Sequence, residues 1–199
     1  MTKRKSKPRP KKPFLINTLR GHGGAVFSVA FSPNNHTIAS GSADHGVGLW
    51  DAFEKSVLCF LDEHTYQVRS VAFSPDGQKL ASASLDGTTR VWRIDGGFTT
   101  HVLNLDKSGM TSVAYSPDGQ LVASGGWSKI VRLWKVSDGS LFCTFKGHTE
   151  MIYKVVFSPD GQMLASTGGD RAIYLWSIPK GSLLGNLNNY SVQTESIAF

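Results

Sequence analysis

The sequence predicts an all-β repeat protein built from four-stranded units, and three observations carry that reading. Aromatic-Ser-Pro segments stand at Phe31, Phe73, Tyr115 and Phe157, each 42 residues after the last. Trp50, Trp92, Trp134 and Trp176 keep the same step, as do Ser40, Ser82, Ser124 and Ser166 and the valines Val29, Val71, Val113 and Val155. A fixed period of a few tens of residues is the signature of solenoids and propellers. Within one unit the apolar side chains alternate with the period of a strand rather than a helix, between turns rich in Pro, Asp and Gly.

The second unit shows how each element arises. VRSVAF alternates as a half-buried strand does, and Pro75-Asp76-Gly77 closes it. Proline pre-sets φ at the second turn position and glycine takes the left-handed one. A second run follows, Asp86-Gly87 reads as another hairpin turn, and a third run ends at Trp92. A fourth run, 56–61 in the first unit, leads into the next repeat. Four short antiparallel strands cannot bury both faces of their own sheet, whereas stacked units can. The units fall at about 21–62, 63–104, 105–146 and 147–188, with 189–199 starting a fifth; together they make one domain over 14–199. Counted by strands, the chain carries a leading strand at 14–19, four complete blades and a trailing strand at 192–199. Such stacking means a solenoid or a propeller, and the strand count leaves it incomplete or open: a piece or shortened product of a longer polypeptide, or half of an assembly. Apolar faces uncovered at its two ends would favour self-association.

Composition narrows the function. Of the 21 Lys and Arg residues, seven lie within the first 13 positions: Lys3, Arg4, Lys5, Lys7, Arg9, Lys11 and Lys12. That segment has three prolines and no acid or aromatic, so it is expected to be an extended, disordered tail. The remaining 14 basic and 15 acidic residues leave the body near neutrality. The tail reads as a nuclear-localisation signal or a sequence-blind, salt-dependent contact to nucleic-acid phosphate, with a solubilising leader as the alternative. The 40% hydrophobic content excludes global disorder. No apolar run is long enough for a membrane span or a signal peptide, which argues against secretion. Two cysteines make no disulfide framework, so an intracellular protein, cytoplasmic or nuclear, is expected.

The repeat resembles the WD-repeat family, whose units form propeller blades. Gly-His stands intact at Gly21-His22 and Gly147-His148, becomes Glu63-His64, and is lost as Leu105-Asp106. The Trp-Asp ending survives as Trp50-Asp51, while the others read Trp92-Arg93, Trp134-Lys135 and Trp176-Ser177. The resemblance covers about 14–199. It implies a scaffold for other proteins or peptides, and an intrablade hydrogen-bond network of Asp, His, Ser and Trp. Here those sets are His22, Ser40, Asp44 and Trp50; His64, Ser82, Asp86 and Trp92; and His148, Ser166, Asp170 and Trp176. A hydrolase would use the same residue types as nucleophile, base and orienter. Repetition favours the structural reading, because a catalytic centre is normally single. Repeat three, with Asp106 and Ser128 in place of His and Asp, is expected to be the least well tied. Cys59 and Cys143 sit two periods apart as buried thiols, and His36, His45 and His101 have no metal-ligand spacing. No catalytic, metal or cofactor site is predicted.

Comparing the repeats with one another separates framework from specificity. Three solvent-facing columns vary: Ala25, Gln67, Gly109 and Met151; Phe27, Arg69, Thr111 and Tyr153; and Ala43, Leu85, Trp127 and Gly169. The resemblance places them around the mouth of the central channel. Trp127, Tyr153, Arg69, Phe27, Met151, Gln67 and Leu85 are therefore the candidate partner-binding rim, with Trp127 foremost because it is the one Trp outside the periodic column. A nucleic-acid- or chromatin-associated subunit recruited through the tail is the alternative function.

Overall fold

Because the turn signals recur with the period, so do the strands. A computed structural model describes residues 17–104, 107–187 and 194–199 of the chain. The first blade holds β1 (Val26–Phe31), β2 (Thr37–Ser42), β3 (Val47–Asp51) and β4 (Val57–Leu61). The second holds β5 (Val68–Phe73), β6 (Lys79–Ser84), β7 (Thr89–Arg93) and β8 (Phe98–Leu103). In the third are β9 (Met110–Tyr115), β10 (Leu121–Gly126), β11 (Ile130–Lys135) and β12 (Leu141–Lys146); in the fourth, β13 (Ile152–Phe157), β14 (Met163–Gly168), β15 (Ile173–Ser177) and β16 (Ser182–Leu187). Each blade is an antiparallel meander in chain order. Among the described residues there is no helix, and hence none long and apolar enough to cross a membrane.

The turns form as their residues dictate. Ser74 Oγ donates to Asp76 Oδ1 and accepts from Lys79 N at 2.9 Å, while Gln78 N donates to Asp76 Oδ1 at 3.0 Å. Gly77, at φ +71°, takes the left-handed position this closure needs. The set recurs at Ser116–Asp118 and Ser158–Asp160, and Asn34 replaces the aspartate in the first blade.

The core sits between blades. Three clusters each join the trailing face of one sheet to the leading face of the next. Ala39, Val47, Leu49 and Leu61 meet Val68, Val71, Leu80 and Trp92. Val91 and Leu103 meet Met110, Val113, Val122 and Trp134 in the second, and Val131, Leu133 and Phe145 meet Ile152, Val155, Leu164 and Trp176 in the third. Burying a side chain of this size contributes roughly 1.5–3 kcal/mol, so these interfaces dominate the energetics. One hydrogen bond repeats across each: Val71 N to Ser28 Oγ at 3.2 Å, Val113 N to Ser70 Oγ at 3.2 Å and Val155 N to Ser112 Oγ at 3.1 Å.

The expected terminal strands are the exception. Residues 17–20 and 194–199 are in no strand, and the rest of both predicted strands (14–16 and 192–193) lies outside the described residues. All four sheets already have their four strands, and among the described residues none of their edges pairs with 17–20 or 194–199. The basic segment 1–13 and the pair Leu105-Asp106 also lie outside the described residues.

Candidate functional site

Two polar systems occupy each blade, one buried within the sheet and one at the channel mouth. In blade two, His64 Nδ1 lies 2.7 Å from Asp86 Oδ2, His64 Nε2 lies 2.7 Å from Ser82 Oγ, and Trp92 Nε1 donates to that oxygen at 2.8 Å. Blade four repeats the chain through Asp170, His148, Ser166 and Trp176. Blade one does so through Asp44, His22, Ser40 and Trp50. One protonation pattern satisfies every member: neutral imidazole donates from Nδ1 to the carboxylate, Nε2 accepts the serine O–H, and the serine oxygen accepts the indole N–H. The serines are buried, and each hydroxyl is enclosed between a histidine and a tryptophan. This arrangement ties the two middle strands of the blade, the turn that joins them and the loop before the inner strand.

The charges follow from the same contacts. Burial opposes ionisation of Asp44, but the Gly46 N–H, His22 and the Gly23 N–H outweigh it and lower its pKa to about 2. Asp86 is likewise held well below the usual carboxylate range, its burial outweighed by His64 and Thr88. Burial pushes the His148 pKa below its ordinary value even though Asp170 faces it. Burial raises both thiols, Cys59 and Cys143, and neither is in a disulfide.

Blade three departs from the pattern. Trp134 Nε1 still donates to Ser124 Oγ at 2.9 Å. Arg132 is buried there and donates from Nη1 to Ser128 Oγ at 2.8 Å. The sequence reading missed Arg132. Its signal lay in the column Gly48, Arg90, Arg132 and Tyr174. In blade two Arg90 pairs with Glu63, and in blade four the Tyr174 hydroxyl donates to Gly147 O at 3.0 Å.

The second system is a cavity of about 600 Å³ where the four inner strands converge. Its wall includes Phe27, Arg69, Leu85, Trp127, Met151 and Tyr153, with Thr111, Lys154, Glu195 and Ser196. Gln67 is not in that wall; its carbonyl instead accepts the Leu85 N–H at 2.9 Å. The same backbone bond holds the other loops, from Ala43 N to Ala25 O, Trp127 N to Gly109 O and Gly169 N to Met151 O.

A β-bulge aims the side chains. In β1, Val26 pairs with Ser42 and Ser28 with Gly41, so Phe27 is left without a partner across the ladder. Arg69, Thr111 and Tyr153 are skipped in the same way in β5, β9 and β13. Such an inserted residue bends the strand and re-aims its side chain, here toward the channel. Neighbouring bulge residues touch: the Arg69 guanidinium lies 4.0 Å from the centre of the Phe27 ring. Trp127 is 51% exposed. Glu195 is the same column 42 residues beyond Tyr153, a signal the sequence held and the rim list omitted. Among the described residues no cluster of His, Cys, Asp or Glu is arranged to hold a metal ion.

Four meanders sharing one period, each closed by its Trp and Ser, define a propeller-type repeat protein. The WD domain, G-beta repeat family matches at 14–51, 55–93, 97–135 and 139–177, and the chain belongs to it. Proteins of this family typically serve as non-enzymatic interaction scaffolds. A 45-residue stretch is 47% identical to Striatin-4 of Homo sapiens, covering 23% of this chain and 6% of that protein. A 48-residue stretch is 50% identical to Protein Mut11 of Chlamydomonas reinhardtii, covering 24% of this chain and 13% of that protein. The chain thus matches a small part of the length of these curated relatives.

Proposed function

We propose that this chain is a non-catalytic scaffold that holds a partner peptide or subunit in the channel cavity. One observation carries the reading: members of each of the three columns that differ between repeats line a single cavity, beside the serines that bond one blade to the next. Aromatic residues, Met and Arg are the types enriched where binding energy concentrates, and Phe27, Trp127, Tyr153, Met151 and Arg69 provide them. The enclosed serines of the His-Ser-Trp relays support a scaffold over a hydrolase.

Peptides selected from a random display library against the full chain provide the ligand, and calorimetry provides the affinity. Trp127→Ala should weaken binding at least ~10-fold, about 1.4 kcal/mol, with the melting temperature unchanged. Phe142→Ala, on an outer strand, should leave affinity intact. Equal affinity for wild type and Trp127→Ala sinks the cavity as the site. The basic segment 1–13 supports a second role in nucleic-acid recruitment. DNA binding that survives Trp127→Ala, falls steeply with salt and is lost when the seven tail cations become alanine would establish it.

A further inference from the structure

We propose that the two ends of the arc are halves of one interface, and that a second copy of this chain closes it head to tail. The internal interfaces show what covers each column. The recurring valine two residues before the inner strand's closing aromatic is 6%, 3% and 0% exposed as Val71, Val113 and Val155, but 68% exposed as Val29. Val68, Met110 and Ile152 are buried, while their equivalent Val26 is exposed. Phe31, equivalent to the buried Phe157, is also exposed. Among the described residues the leading face of blade one is therefore uncovered by any strand, and a cavity of about 320 Å³ lies there between Val26, Val29 and Trp50 and the segment Thr18, Leu19 and Arg20.

Blade four shows the complementary deficit on its trailing face. Leu61, Leu103 and Phe145 are 4%, 3% and 2% exposed, whereas Leu187 in that column is 52% exposed. Val47, Thr89 and Val131 are buried, and their equivalent Ile173 is half-buried; Leu175 differs in the same sense from Leu49, Val91 and Leu133.

Each bare face has, three times in this molecule, an apolar partner of the kind that the other bare face carries. Blade four of one copy therefore fits blade one of the next as blade one fits blade two. Two such junctions join two copies into a ring of eight blades, within the range of known propellers. The contact is heterologous, so it closes only if the rotation allows and otherwise runs on. The junction lacks one internal element: Lys154 stands where Ser28, Ser70 and Ser112 accept the next blade's amide, so apolar contact alone holds it. It is thus weaker than the internal interfaces and depends on concentration.

The test is light scattering coupled to size-exclusion chromatography on the full chain. Wild type should run at twice 21.6 kDa at high concentration, and Val29→Glu and Leu187→Glu should each run at 21.6 kDa with unchanged circular dichroism. Should Val29→Glu lower the melt, Phe31→Lys on the same face replaces it. An equimolar mixture of the two variants keeps one junction of intact faces and sets the two altered faces against each other at the second, so at high concentration it should run heavier than either variant alone. A wild type that stays at 21.6 kDa at every attainable concentration overturns the proposal. So do single variants that remain as dimeric as wild type, or a mixture no heavier than either variant alone. Wild-type masses that grow past two copies overturn the closed ring.

Discussion

Blades two and three solve the same problem with different chemistry. Both bury a tryptophan whose indole N–H must be received, and both receive it on a serine, Ser82 or Ser124. Blade two backs its serine with His64 and ionised Asp86. Blade three brings Arg132 inward to Ser128, from the column where blade two turns Arg90 outward to Glu63. What the blade requires is therefore a satisfied indole and a filled, hydrogen-bonded space before the inner strand. The His-Asp pair is one way of meeting that requirement. A catalytic dyad would not tolerate such an exchange, and a buried polar network does as long as its members find partners.

The largest expected effect tests that difference directly. Asp86 accepts from His64, from the Thr65 and Thr88 amides and from the Thr88 hydroxyl, whereas Ser128 meets Arg132. Asp86→Ala should cost about 3 kcal/mol and Ser128→Ala about 1 kcal/mol, since orphaned buried groups cost ~1–3 kcal/mol apiece. Urea unfolding measures both, and equal losses would erase the distinction between the blades.

Acid should act on the regular blades first. Unfolded His148 takes its proton near 6.5 and the folded residue at lower pH, so between those values the unfolded chain binds more protons. Stability therefore falls as pH drops through 6.5. It falls again between 3.8 and about 2, where unfolded Asp44 is protonated and folded Asp44 is still ionised. Melting curves from pH 7 to pH 2 should show both declines. An imidazole titration placing His148 at or above 6.5 would remove the first.

The smallest effect would bring blade three closer to blade two. Ser128→Asp exchanges the hydroxyl that Arg132 Nη1 meets for a carboxylate and should shift stability by less than ~1 kcal/mol, because Ser128 is only half-buried. Urea unfolding that shows a larger shift in either direction would mean that blade three depends on that one hydroxyl.

Much of this was legible in the sequence because the period made each column its own control. The four-stranded blades, the Trp-Ser-His-Asp sets and the SPDG turns are local patterns repeated at fixed spacing, and each forms where the spacing puts it. The rim columns were legible as variable positions, but the bulge that aims Phe27, Arg69, Thr111 and Tyr153 was not, since it depends on strand register. Gln67 belonged to a variable column, yet what it contributes is a backbone bond that any residue could make. Arg132 was hidden because an arginine beside a strand-ending tryptophan reads as solvent-facing until the histidine it replaces is missing. The terminal strands failed for a different reason: a strand needs a partner edge, and sequence pattern alone does not supply one.

The bulge also separates two duties that a strand residue normally combines. A side chain inside a ladder answers to its cross-strand neighbour, so changing it perturbs the pairing. In the ladder the four skipped residues have no such pairing, and they stand side by side around one opening. Thr111 still holds the framework through its hydroxyl, which donates to Gly125 O at 3.0 Å and to Ile152 O of the next blade. Phe27 and Arg69 are interchangeable keys on a fixed lock body. A library randomised at 27 and 69 could re-address the opening to new ligands, with the meanders, the turns and the tryptophan anchors left as they are.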